Sequence, residues 1–443
     1  MIPVPARVTA VLRARPLSAL ARSLRLARVL PAPVRLILVS MVLFNVGFYL
    51  VVPFLAVHMS EDLGLASWAV GLVLGLRTFS QQGLFFLGGS LADRFGVRPL
   101  VLLGIALRVA GFLVLGVATT FAAMIAGVLL VGLAAALFAP AVEAADAAFG
   151  RQLEQDGVLR RTELFALEQM CSRLGTVVGP ALGAVLLVVP FVWTAVAAAV
   201  LFTGLWVAFA IWLPAEVSTS HQPSAGAPGS LRQVWRTVLT NRAFLVFAAL
   251  CGAQLAAYNQ LYLMLPEQLE RGVGSQAALG WFFTGAALLV IFGQSPAVAV
   301  ANRLGHRTST VAGMAVMAAS FLAPVLTVLW APGSAVAQLA GLIVWVGLLH
   351  LGQMLMVPPM RDTIAILADE RNLGAHFGML NTLGGVLTLV ASLGVGRIYD
   401  LVDDGAAGLA TPWWVLAVAV AAAAAGLWWW TGRTSMTRRP AVS

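Results

Sequence analysis

The chain has 443 residues, 60% of them hydrophobic and only 10% charged, with a mean hydropathy of +0.93. Such a balance excludes an ordinary soluble globule and points to a protein that lives in a bilayer. The net charge of +9 comes from 27 basic residues, all of them arginine, spaced between apolar runs. That spacing makes the lipid bilayer, and not nucleic acid, the expected partner. Cys171 and Cys251 lie in separate apolar runs and the five histidines are scattered, so no disulfide framework and no metal or other cofactor is expected.

The first 35 residues hold seven arginines and no acid. Residues 1–33 therefore read as a basic amphipathic segment on the cytoplasmic lipid surface. A cleaved signal peptide fits poorly, because the first long apolar run starts only near Val34 and no small-residue cleavage site follows it. A start codon further downstream is the alternative.

Twelve apolar runs of bilayer-crossing length follow. The first six cover about 34–58, 68–88, 99–118, 121–142, 163–187 and 190–213, and the second six about 243–265, 277–300, 308–331, 334–358, 374–396 and 411–431. The expected fold is thus an all-α membrane protein with twelve transmembrane helices in two six-helix bundles, 34–213 and 242–432. A cytoplasmic linker, 214–241, rich in Ser, Pro, Gly and Ala, joins them, and a tail, 433–443, ends the chain. With the N-terminus inside, 22 arginines fall in cytoplasmic segments and only Arg271 and Arg397 outside, leaving Arg77, Arg108 and Arg173 within spans. Both termini are expected in the cytoplasm.

One polar stretch between spans 2 and 3 stands out: Gly89-Ser90-Leu91-Ala92-Asp93-Arg94-Phe95-Gly96-Val97-Arg98. Residues 301–307, Ala-Asn-Arg-Leu-Gly-His-Arg, repeat its second part 209 positions downstream with Ala, Arg, Gly and Arg kept. A weak internal repeat is what two duplicated membrane halves leave behind. The first string resembles the signature loop of the major facilitator superfamily of secondary transporters. That resemblance implies two pseudo-symmetric bundles around a central cavity, alternating access, and a gating cluster of Gly89, Asp93, Arg94, Gly96 and Arg98 with Glu143 and Asp146 at the end of span 4.

In span 5, Gly175, Gly179 and Gly183 recur every four residues beside Pro180. They form a smooth stripe where another helix can come close, with a permitted bend. The run resembles the fifth-helix motif of proton-coupled antiporters in the superfamily; the plainer reading is a packing face. Glu168 stands two turns before Gly175 on the same stripe. A carboxylate brought toward the membrane must be paired, protonated or facing water, so Glu168 is a candidate proton carrier or, equally, an ion-pair partner of Arg173, Arg77 or Arg108. Arg77 and Arg108 lie near mid-membrane. Pairing with carboxylates inside the bundle is favoured slightly over contact with an anionic substrate or tuning of the proton carrier. Residues 75–83, Gly-Leu-Arg-Thr-Phe-Ser-Gln-Gln-Gly, running into the loop, resemble a bacterial multidrug-efflux branch. The Arg that many drug–proton antiporters carry inside helix 4 is missing from span 4.

The resemblance makes spans 1, 4, 7 and 10 the cavity lining. Asn45 and Tyr49 on span 1, Gln254, Tyr258, Asn259 and Tyr262 on span 7, and His350, Gln353 and Met354 on span 10 would suit an adaptable pocket for flat apolar compounds. Hydrogen bonding between helices is the plainer role for each. The expected function is export of small hydrophobic or amphipathic compounds in exchange for protons, by a monomer in the bacterial cytoplasmic membrane. Transport of an endogenous metabolite such as a sugar or organic anion is the alternative, and a non-transporting receptor or scaffold a third. No nucleophile–base constellation or phosphate-cradling loop suggests an enzyme.

Overall fold

Apolar segments in a bilayer can satisfy their backbone polar groups alone only as helices. The computed structural model describes residues 30–85, 91, 95–159, 161–186, 189–214, 231–368 and 373–433, and among them there is no strand. The basic segment before residue 30, residues 215–230 of the linker, the tail from 434, and Gly89, Asp93 and Arg94 of the signature loop lie outside the described residues.

Helix α1 (Ala32–Val51) starts directly after Pro31, then continues through a 3-10 turn at Val52–Phe54 and a π turn at His58–Asp62. Then come α2 (Ser67–Gly83), α3 (Val97–Val117), α4 (Phe121–Gln155), α5 (Arg161–Leu186) and α6 (Phe191–Trp212). The short α7 (Leu231–Thr240) lies in the linker. The second half holds α8 (Arg242–Asn259), α9 (Leu261–Val273), α10 (Leu279–Leu304), α11 (His306–Ser320), α12 (Leu322–Trp330), α13 (Ala335–Leu367), α14 (Leu373–Asp403) and α15 (Thr411–Arg433). With α8–α9 and α11–α12 each counted as one, ten helices among the described residues are long and apolar enough to cross a membrane. The other two long helices are α2, with 17 residues, and α5, whose first turns are polar.

Two of the expected runs are broken. At Gln260 the backbone tightens to a bond with Ala257 O, separating α8 from α9. Between α11 and α12, Pro324 has no N–H for the Ser320 carbonyl, and the turn closes through Phe321 N to Ala318 O.

In the first half α3 packs on α4 and α6, α1 on α5, and α2 on α4; in the second, α11 packs on α13 and α15, α8 on α14, and α10 on α13. The same neighbour pattern thus recurs. The halves meet along α2 with α14 and along α5 with α10. Large apolar side chains face outward, Phe292 at 76% and Trp330 at 81% exposure, a surface that acyl chains cover.

Candidate functional site

The glycine stripe of α5 lets α1 approach at backbone distance. A Cβ on Gly175 would sit 2.5 Å from Val42 O, and one on Gly179 2.7 Å from Tyr49 Cβ; Gly183 faces the Phe54 ring in the same way. Asn45 fixes the register from the α1 side, donating to Met41 O at 2.8 Å and to Ser172 Oγ of α5 at 3.1 Å. Pro180 lies inside α5 without ending it.

This packing presents Tyr49 to a cavity of about 490 Å³ between the halves, lined by Gln169, Arg173 and Thr176 of α5, Tyr258 of α8, Phe283 of α10, and His350, Gln353, Met354 and Arg361 of α13. The hydroxyl groups of Tyr49, Tyr258 and Tyr262 meet at its floor. His350 is buried, bonded through Nδ1 to Val346 O at 2.8 Å and edge-on to Tyr258 at 5.5 Å. Four of the expected lining residues lie off this cavity, Asn45 among them at the α1–α5 contact. Asn259 turns to α2 and accepts from Thr78 Oγ1 at 3.0 Å, Tyr262 stacks on Phe283 under the floor, and Gln254 does not border the cavity.

A second cavity of about 640 Å³ penetrates the first half. Arg108 lies within it, and Glu143, Asp146 and Glu168 line it together with Phe44, Phe48 and Phe138; Gln169 borders both cavities. The Glu168 carboxyl makes contact with that of Asp146, which is 1% exposed. Of the two readings of Glu168, the ion pair with arginine is not found among the described residues; α5 turns its carboxyl toward α4 instead.

Arg77 and Arg108 are each 4% exposed, and neither has a carboxylate partner among the described residues, which corrects the expected pairing. Aromatic faces replace it. Arg77 lies 5.2 Å from the Phe48 ring centre and 5.5 Å from that of Tyr262, and donates to Thr78 Oγ1 at 2.9 Å and Asn259 Oδ1 at 3.4 Å. Arg108 lies 4.7 Å from the Phe44 ring centre and 5.2 Å from that of Phe202, two rings that stand edge-on to each other at 4.8 Å. Ring quadrupoles attract a cation without neutralising it, so both guanidinium groups remain charged sites inside the bundle. Nothing in the sequence separates these phenylalanines from ordinary core rings.

Of the expected gating cluster, Gly89, Asp93 and Arg94 lie outside the described residues, and the Arg98 guanidinium reaches toward α6. Gly96 turns the chain into α3, and Arg98 Nη2 donates to Ala210 O near the end of α6 at 2.6 Å. At the opposite end the halves are joined. Asp400 of α14 accepts from the first backbone N–H groups of α2, Ser67 at 2.9 Å and Trp68 at 3.2 Å, while Gln276 donates to Glu61. At the same end, within the second half, Arg271 pairs with Glu267 and with Asp403 at 2.7 Å. Contacts between the halves join the end away from the signature loop, and at the loop end Thr382 Oγ1 of α14 donates to Gly83 O of α2 at 3.2 Å. The carboxyl groups and Arg361 line the cavities toward the loop end.

Comparison with known proteins accords with this architecture. The profile of the Major Facilitator Superfamily matches residues 37–278. An uncharacterised MFS-type transporter of Mycobacterium tuberculosis (strain ATCC 25618 / H37Rv) is 35% identical over 371 residues, 83% of this chain and 85% of the relative. Multidrug resistance protein MdtH of Shigella sonnei (strain Ss046) is 29% identical over 387 residues, 86% of this chain and 90% of that protein. Among solved structures, the POT family transporter PepTSo superposes with a TM-score of 0.74 at 15% identity, covering 92% of this chain and 99% of that one. Peptide transporter POT in complex with alafosfalin gives 0.73 at 15% identity, covering 96% and 98%. At that identity the likeness establishes the fold alone. The chain belongs to the Major Facilitator Superfamily and is a multi-pass membrane transporter.

Proposed function

We propose that this transporter exports small hydrophobic or amphipathic compounds, drugs included, in exchange for protons. Twelve crossings in two pseudo-symmetric halves, 34–213 and 242–432, rock about the central cavity, with both termini in the cytoplasm. The observation that carries the reading is the carboxyl–carboxyl contact of Glu168 and Asp146 on the wall of a cavity facing the loop end. Two carboxyl groups in contact cannot both ionise cheaply, so such a pair takes up and releases a proton as a unit. Gln169, one residue from Glu168, borders the central cavity as well, which brings proton and substrate sites within one helical turn. The tyrosine floor, the Met354 thioether and the ring of Phe283 suit flat apolar bodies. A relative named for multidrug resistance supports the same substrate class.

In this reading α5 and α10, and α2 and α14, are the surfaces on which the halves turn. The gating role belongs to Gly89, Asp93, Arg94, Gly96 and Arg98 with Glu143 and Asp146. The test uses purified protein in vesicles with a pH-sensitive dye inside and lipophilic cations and anions outside. Substrate-dependent proton movement is expected. Substrate flux without proton movement would replace exchange with facilitated diffusion.

A further inference from the structure

The cavity inside the first half has a shape and charge pattern of its own. At its depth Arg108 offers a buried guanidinium that Phe44 and Phe202 approach from the same side, while its Nε has no hydrogen-bond partner. Such a cation with no counter-ion is costly in a bilayer-embedded bundle. Its five N–H donors lie in one plane, a fork that matches a carboxylate, sulfonate or phosphate bidentately. At the mouth stand Glu143 and Glu168, neither in an ion pair among the described residues, with Asp146 beside Glu168. Between the two ends the wall is aromatic: Phe44 and Phe138 stack at 3.7 Å with 16° between their planes. Asp146 follows Phe138 by eight residues on α4, about 12 Å along the axis.

We propose that this cavity is a binding site for zwitterionic aromatic compounds. The anionic group of the ligand meets Arg108, its flat body lies along Phe44 and Phe138, and its cationic group meets the Glu168–Asp146 pair. A purely cationic compound leaves Arg108 unpaired, and a purely anionic one gains nothing at the mouth. The inference rests on the exchange reading above and deepens it. If the ligand's cation and the proton contend for the same carboxyl groups, occupancy by one excludes the other, and exchange follows without any further device.

The test uses three dyes with one skeleton: tetramethylrhodamine, a zwitterion; its methyl ester, a cation; and fluorescein, an anion. Binding to the full-length protein in nanodiscs is read by fluorescence anisotropy. The free acid is expected to bind at least tenfold more tightly than the ester, and fluorescein more weakly than both. Arg108→Gln should bring the acid to the level of the ester and leave the ester unchanged, while Arg108→Lys keeps part of the preference. Glu168→Gln should weaken acid and ester alike. Equal binding of acid and ester by the unaltered protein, or binding of none of the dyes, overturns the proposal without reference to any variant. So does an Arg108→Gln protein, monodisperse on gel filtration, that still prefers the acid. Proton exchange is read separately in vesicles: a zwitterion preference without proton movement sinks the exchange reading and leaves the site standing.

Discussion

Gly96 and Gly305, 209 positions apart, hold the same backbone conformation, φ 85° and ψ 161° at one, φ 78° and ψ 163° at the other. Each stands immediately before a helix, α3 or α11. A left-handed φ with an extended ψ is open to glycine and strained for any residue with a Cβ. The two arginine-bearing loops therefore share a shape as well as letters. Replacing either glycine by alanine should lower stability by about 1–3 kcal/mol. Thermal unfolding of Gly96→Ala and Gly305→Ala in detergent checks this, and unchanged melting of both would show that the turns relax freely.

Close approach of α1 and α5 depends on the glycine stripe. Gly179→Val would force the Tyr49 region of α1 away, whereas Gly204, with open space around its position, should accept valine. Gly179→Val is expected to lower the melting temperature and abolish transport, with Gly204→Val close to the unaltered protein in both assays. Equal behaviour of the two would mean that α1 and α5 do not need contact at backbone distance.

Arg77 carries a further expectation because its partners are rings and neutral oxygens. Breaking a buried ion pair costs about 3–5 kcal/mol, chiefly through the charge left behind. Arg77→Met orphans no carboxylate, so its cost should stay below about 2 kcal/mol, near the cation–π range with a lost hydrogen bond. Thermal or denaturant unfolding measures it. Wholesale loss of folded protein would point to a buried anion that depends on Arg77.

Asp400 caps the first turn of α2 from the other half of the molecule. Loss of a helix cap costs about 0.5–2 kcal/mol, and here that cost falls on the join between the halves. Asp400→Ala should therefore raise the labelling rate of a cysteine placed at Ser67 by an impermeant maleimide, relative to the same cysteine with Asp400 intact. No change in that rate would remove Asp400 from the closure of this end.

The helices themselves were readable from apolar runs, because a bilayer leaves the backbone no other choice. Their ends were less so. Hydropathy stops where lipid stops, but α4 continues to Gln155 and α13 to Leu367 as polar helix, well past the expected 142 and 358. The Gly-x-x-x-Gly spacing of α5 announced a close neighbour without saying which, and α1 supplies it. Glu168, Arg77 and Arg108 stood out as charges in apolar surroundings, while their partners could not be read. Which of 22 phenylalanines would face Arg108 depends on how α1, α4 and α6 rotate against α3, information that lies in the packing of all four. Asn259 is next to Tyr258 in the chain and so about 100° round the helix, which takes it to Thr78 of α2 while Tyr258 faces the cavity.

The central claim is that Glu168 and Asp146 carry the exchanged proton, and one measurement addresses it directly. Vesicles with an internal pH-sensitive dye are loaded with the unaltered protein or with Glu168→Gln, and proton movement is started by adding a transported dye. Glu168→Gln should bind the dye at detectable affinity yet move no protons on its addition. Undiminished dye-driven proton movement in Glu168→Gln and again in Asp146→Asn would place the carrier elsewhere in the molecule.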